Sequence, residues 1–153
     1  MALREKDLAR LGPAARAQIA AARARQAAAQ KARRLQTDAA KAGPLLPEAD
    51  SELERRYYAA VLWPKIMAGL VAQIELHKQF LLYPADTYCG LRLPAAHYTP
   101  DFLVTYTNGT VEAVEVKHAK IRKLQRDYIY RRRLFIERYA RPNGWKFTEY
   151  IQE

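Results

Sequence analysis

Thr107-Asn108-Gly109-Thr110 stands between two β-rich runs, Tyr98–Tyr106 and Val111–Lys117. Asn-Gly in that setting is the strongest short-range hairpin signal, because both residues tolerate the positive φ that a tight hairpin turn demands. The other elements are read outward from this hairpin. Ser51 followed by Glu54 fits a capping box, and Leu53, Tyr57, Ala60, Val61, Ile66 and Met67 then continue at roughly helical spacing to about Gly69. Pro64 predicts a kink or break partway along that helix. Loose alternation over 73–83 suggests a strand near Gln79 to Tyr83, followed by a lengthy loop with Pro84, Gly90 and Pro94. Ile121, Leu124, Tyr128, Phe135 and Tyr139 give a second helix one apolar edge over 120–140. Pro142-Asn143-Gly144 ends it, and Trp145, Phe147, Tyr150 and Ile151 suggest a last strand. The order is helix, three strands, helix, strand, an α/β (α+β) domain over residues 50–153.

Residues 1–49 read differently. The first fifty positions hold 17 alanines and ten Lys or Arg against five Asp or Glu. From Pro13 to Gln36 the only large aliphatic residues are Ile19 and Leu35, which leaves no apolar stripe to dock on a core. Ala and Arg favour helix, so the expectation is a solvated basic helix, or an extension that orders only on a polyanion. Gly43, Pro44 and Pro47 mark a linker.

Charge narrows the partners. Twenty-six Lys and Arg against sixteen Asp and Glu give a net charge of +10, which favours a polyanion, nucleic acid before an acidic membrane surface. The basic segment lacks the aromatic and leucine face of a membrane-surface helix. No apolar run approaches the roughly 18 residues that span a membrane, and no secretory leader is visible. Cys89 is the only cysteine, which excludes an internal disulfide framework and a Cys-rich zinc site. The cytoplasm is the expected compartment.

The chemistry concentrates at Pro100-Asp101 and at Glu115-Val116-Lys117. Strand alternation puts Glu115 and Lys117 on one face and Val114 and Val116 on the other. Two explanations fit: a surface ion pair contributing at most about 1 kcal/mol, or a site. Hairpin geometry separates them. A two-residue Asn-Gly turn pairs Phe102 with Glu115 and turns Asp101 to the opposite face. An odd loop or a bulge pairs Asp101 with Lys117 and Leu103 with Glu115, gathering all three. Two carboxylates converging near a lysine suit a hard divalent cation such as Mg²⁺, which takes carboxylates, water and a substrate phosphate. Such an ion stabilises charge on a phosphodiester, while the lysine holds or deprotonates the attacking water.

Pro100-Asp101, the spacing, and Glu115-Val116-Lys117 resemble the signature of the PD-(D/E)XK nuclease superfamily. Its restriction-endonuclease-like core is αβββαβ around a mixed central sheet. Leu53-Glu54-Arg55-Arg56-Tyr57 and Tyr98-Thr99-Pro100-Asp101-Phe102 also resemble a small phage-borne branch. The resemblance implies a metal-dependent endonuclease on DNA, acting in phage DNA processing, recombination or repair, in host cytoplasm. It implies Asp101 as central metal ligand, Glu115 as its partner, Lys117 as the residue that positions or activates water, and Mg²⁺ as cofactor with Mn²⁺ substituting. Glu54 is either the supplementary acid that some branches supply from the first helix or only the closing residue of the capping box. Glu52 is the other candidate acid, two positions away on a different helical face. Tyr128 follows Gln125 at +3 rather than +4, which departs from the Gln-x-x-x-Tyr helix motif of recombination exonucleases. A homodimer is expected if both strands are cut.

Residues 118–141 carry nine Lys or Arg against Asp127 and Glu137. Lys120, Arg122, Lys123 and Arg126 are the candidate phosphate contacts, since the helix is expected to begin close to Lys117. Arg131, Arg132 and Arg133 are consecutive and point in three directions. His97 is a candidate for the metal or a phosphate, whereas alternation turns His118 away with Val116. The alternative function is a non-catalytic nucleic-acid-binding protein of the same fold, with Asp101, Glu115 and Lys117 as an ion-pair cluster.

Overall fold

The computed structural model describes residues 11–119 and 126–152. Helix α1 spans Pro13–Ala42. Helix α2, Glu52–Tyr57, runs through a π-helical turn at Tyr58–Leu62 into α3, Trp63–Met67. Strands follow at Val71–Leu76 (β1), Phe80–Tyr83 (β2), Asp86–Tyr88 (β3), Leu91–Leu93 (β4), Ala96–Tyr98 (β5), Phe102–Tyr106 (β6) and Val111–His118 (β7). Helix α4, Tyr128–Phe135, continues as a π turn over Ile136–Ala140 and leads to β8, Lys146–Gln152. The central sheet has the order β1-β6-β7-β8. Its first two pairings are antiparallel and β7–β8 is parallel. The fold is therefore mixed α+β on a mixed four-stranded sheet, and around that sheet the order is helix, three strands, helix, strand.

The strands alternate between two cores. Phe102, Val104, Val114 and Val116 face α2 and α3, where Leu53, Tyr57, Leu62 and Ile66 close over them. Leu103 and Ala113 face the other way, toward Phe80, Leu82, Tyr98, Tyr128 and Phe135. Residues 112–116 are all buried, as a strand covered on both faces requires. Phe135 is fully buried, with the rings of Tyr98 at 4.8 Å and Phe80 at 5.0 Å. Phe135→Ala is expected to cost about 3–5 kcal/mol, transfer and cavity together, read as a lowered urea midpoint.

Several expectations are corrected by longer-range packing. The first sheet strand is Val71–Leu76, whereas Phe80–Tyr83 pairs with β5 in a separate ribbon. The run Tyr98–Tyr106 divides at Thr99–Asp101 into β5 and β6. The expected loop at 84–94 contains the β3–β4 hairpin, turned by Cys89 and Gly90 at φ +48° and +77°. The helix does not end at Pro64, but its α-helical ladder is interrupted just before it. A π turn, with Trp63 N–H donating to the Tyr58 carbonyl, precedes it where the proline ring would press on the Ala60 carbonyl. The second helix is not continuous over 120–140, because Arg126 and Asp127 form a turn before α4.

Helix α1 does dock. Ala32 and Ala39 are buried, and Leu35 packs on the core that contains Leu53 and Ile66. Alanines let the helix approach closely without the large aliphatic stripe that ordinarily signals docking. Gln36 Nε2 donates to the Met67 carbonyl (2.9 Å) and Lys31 Nζ to Gln73 Oε1 (3.4 Å).

Candidate active site

The hairpin decides which side chains meet. Tyr106 N–H donates to the Thr110 carbonyl and Gly109 takes φ +89°, leaving Thr107, Asn108 and Gly109 as an odd loop. The register pairs Phe102 with Val114 and Leu103 with Ala113. The expected pairing of Leu103 with Glu115 is thus displaced by two residues, which preserves the face. Asp101, one step before β6, comes level with Glu115, and its Oδ2 accepts the Val116 N–H at 2.6 Å.

The start of β6, the end of β7, the end of β1 and the first turn of α2 share one end of the sheet. Ser51 caps α2 by accepting from Glu54 N–H (3.2 Å) and donates from its hydroxyl to Glu54 Oε1 (2.8 Å). Glu54 Oε2 accepts from Asp50 N–H at 3.1 Å. Ser51 caps as expected, while the Glu54 carboxylate reaches back to the Asp50 N–H and the Ser51 hydroxyl rather than the Ser51 N–H, and also faces the site. One ligand atom each from Glu54, His77 and Asp101 lie within 4.8 Å of one another. Glu52 lies outside this group, exposed and paired with Arg55 and Arg56.

Nothing local in the sequence marks His77. It follows β1 with φ +49°, a left-handed conformation that costs a non-glycine residue roughly 1–2 kcal/mol. Its backbone N–H donates to the Asp101 carbonyl at 3.2 Å, and its Nε2 lies 3.1 Å from Glu54 Oε2. The signal that would have found it is the pairing of Val71–Leu76 with β6, which carries the next residue to the side of Asp101.

Glu115 and Lys117 stand on the other side of Asp101. Glu115 is buried, accepts from the Tyr98 hydroxyl (2.8 Å) and pairs with Lys117 Nζ (2.9 Å). The ammonium also lies 4.2 Å from the centre of the Tyr128 ring. Tyr128 donates to Glu149 (2.8 Å), which Arg132 also holds (2.7 Å). Glu115 opens onto a cleft of about 460 Å³ whose walls include Gln79, His97, Thr99, Tyr128 and Arg131.

Burial pushes the Asp101 carboxyl up to about 7, helped by the charges of Glu115 and then Glu54. The Val116 N–H and Lys117 act in the opposite direction. Two carboxylates and an imidazole in reach of one another, with one carboxyl held against its own ionisation, fit a divalent cation by donor chemistry. Of the expected phosphate contacts, Arg126 is exposed in the turn before α4, while Lys120, Arg122 and Lys123 lie outside the described residues.

Fold and site together define an α+β protein with a carboxylate-rich centre at one end of a mixed sheet. The chain belongs to the family described as "Protein of unknown function (DUF1064)", whose model matches residues 44–149. No curated protein and no solved structure matches it. No helix among the described residues is long and apolar enough to cross a membrane.

Proposed function

We propose that the protein is a metal-dependent endonuclease that hydrolyses phosphodiester bonds in DNA. The observation that carries this reading is the position of Asp101, between Glu54 and His77 on one side and the Glu115–Lys117 pair on the other. The polar cleft beside Glu115 and the net charge of +10 supply a route for a polyanion. The order of elements around the mixed sheet, with Pro-Asp immediately before one central strand and Glu-x-Lys on its neighbour, supports a restriction-endonuclease-like core of the PD-(D/E)XK type.

In this reading Glu54, His77 and Asp101 hold the cation, with Glu115 completing the acidic centre. A bound divalent ion polarises a phosphoryl oxygen and lowers the pKa of its water. Lys117, fixed by Glu115 and the Tyr128 ring, orients the attacking water toward a phosphate seated in the cleft. Hydrolysis breaks one P–O bond and leaves a phosphomonoester and a hydroxyl. Mg²⁺ suits the carboxylates, and the imidazole of His77 extends the site toward Mn²⁺.

The test is incubation with supercoiled plasmid, branched and single-stranded DNA, and RNA, each with Mg²⁺, Mn²⁺ or EDTA. Cutting of DNA with metal and none in EDTA is expected; no cutting of any DNA with either ion would contradict the proposal. His77→Ala is expected to weaken Mn²⁺ binding by at least about 10-fold, the lower end of the loss seen when a group that only orients a ligand is removed. Titration calorimetry with Mn²⁺ measures it. The close Glu115–Lys117 pair also favours a second reading, a DNA-binding protein of the same fold in which that pair is only structural. Binding of DNA without cleavage, indifferent to metal, would select it.

A further inference from the structure

We infer that helix α1 is a DNA-backbone arm, with the exposed row Arg16, Arg23, Arg34 and Lys41 as its contact face; the inference rests on the DNA reading proposed above. Three observations carry it. The first is spacing: these residues are separated by 7, 11 and 7 positions, close to whole numbers of turns at 3.6 residues each, so they line one side of the helix. All four are exposed, and they lie away from the docked stripe formed by Ala32, Leu35 and Ala39. The second is the sign of the charge. Between Pro13 and Lys41 there are seven Lys or Arg and a single acid, Asp38. A surface helix that is merely solvated ordinarily interleaves both signs, whereas a basic block fits a polyanion.

The third is direction. Gln36 contacts Met67, before β1, and Lys31 contacts Gln73, within it. Toward its N-terminus α1 therefore advances in the direction in which β1 runs to Leu76 and His77, the end of the sheet that holds the site. No residue from 13 to 27 is buried. At about 1.5 Å per residue that half of the helix is about 22 Å long. This basic rod stands at the site's end of the sheet, on the side covered by α2 and α3, while the Glu115 cleft opens on the side of Tyr98 and Tyr128.

The test uses full-length protein carrying Asp101→Asn, in EDTA, so that binding is read without cleavage. Fluorescence anisotropy with a labelled 30-base-pair duplex is followed from 50 to 250 mM KCl. The row variant Arg16→Gln/Arg23→Gln/Arg34→Gln is expected to bind at least tenfold more weakly at 100 mM. Its slope of log affinity on log salt should shrink by between about two and three, at about 0.9 for each phosphate contact. The corresponding Arg→Lys triple should bind like the parent, and the off-row variant Arg25→Gln/Arg33→Gln should change the slope by less than about one. Gln and Arg have similar helix propensity, and circular dichroism checks that the helix is intact. A row variant with intact helix and parental affinity and slope would overturn the inference. An off-row variant with an equal loss would overturn it as well. So would a row variant that lost binding only to phosphatidylserine vesicles. Plasmid cleavage by wild type, with the row variant beside it and Asp101 intact in both, separates the two levels. Metal-dependent cutting with unchanged DNA affinity would sink the arm and keep the nuclease, whereas lost affinity in a protein that never cuts would do the reverse.

Discussion

Asp101→Asn is expected to produce a protein that no longer cuts DNA yet, free of metal at pH 7, unfolds at a higher temperature than wild type. The sign follows from proton linkage. Asp101 titrates near 4 in the unfolded chain and is pushed up to about 7 in the fold, by burial first and then by Glu115 and Glu54. Between those values the folded state keeps a proton that the unfolded state has lost. Metal-free wild type should therefore lose stability as pH rises from about 4 to about 7. Asparagine carries no charge, still offers an oxygen to the Val116 N–H, and should flatten that part of the profile. The difference at neutral pH is of order 1–3 kcal/mol, below the full linkage value because the site is partly solvated. Mn²⁺ should raise the melting temperature of wild type, more strongly at pH 8 than at pH 6, and leave the variant nearly unmoved. Calorimetric scans at pH 5, 6, 7 and 8, with and without Mn²⁺, measure all of this. A variant less stable than wild type at pH 7 would show that the Asp101 carboxylate supports the fold rather than strains it.

Lys117→Ala has the second large expected effect. Cleavage should fall by about 10²–10⁴-fold, the range for losing a positioned acid–base group, while duplex affinity changes less than threefold, about 0.6 kcal/mol. One largely buried ammonium, paired with Glu115, adds little to an affinity set by many exposed cations. The alanine variant should also be less stable, since Glu115 is buried and would keep only the Tyr98 hydroxyl among the partners described above. Single-turnover cleavage and anisotropy on the same duplex separate the quantities. Loss of affinity in step with activity would argue that Lys117 is structural.

What was legible in the sequence was local. Asn108-Gly109 marked the hairpin, and the requirement for an odd loop if Asp101 and Glu115 were to share a face is met by Thr107–Gly109. Ser51 caps the helix at Glu54 N–H, and the same glutamate, reaching back to Asp50 N–H, also faces Asp101. What was not legible depended on distant pairing. His77 joins the site only because Val71–Leu76 pairs with β6. The β3–β4 hairpin turns on Cys89 in a left-handed conformation that cysteine rarely signals. The docking of α1 rests on Ala32 and Ala39, whose small side chains carry almost no weight in an amphipathic pattern.

Supercoiled plasmid incubated with wild type and with Asp101→Asn, in Mg²⁺, Mn²⁺ or EDTA, tests the central claim most directly. Nicked and linear DNA in the wild-type lanes with metal, and intact plasmid in the EDTA and Asp101→Asn lanes, is the predicted result. Plasmid that stays supercoiled with wild type and both metals, or is cut equally by the two proteins, would contradict a metal-dependent nuclease centred on Asp101.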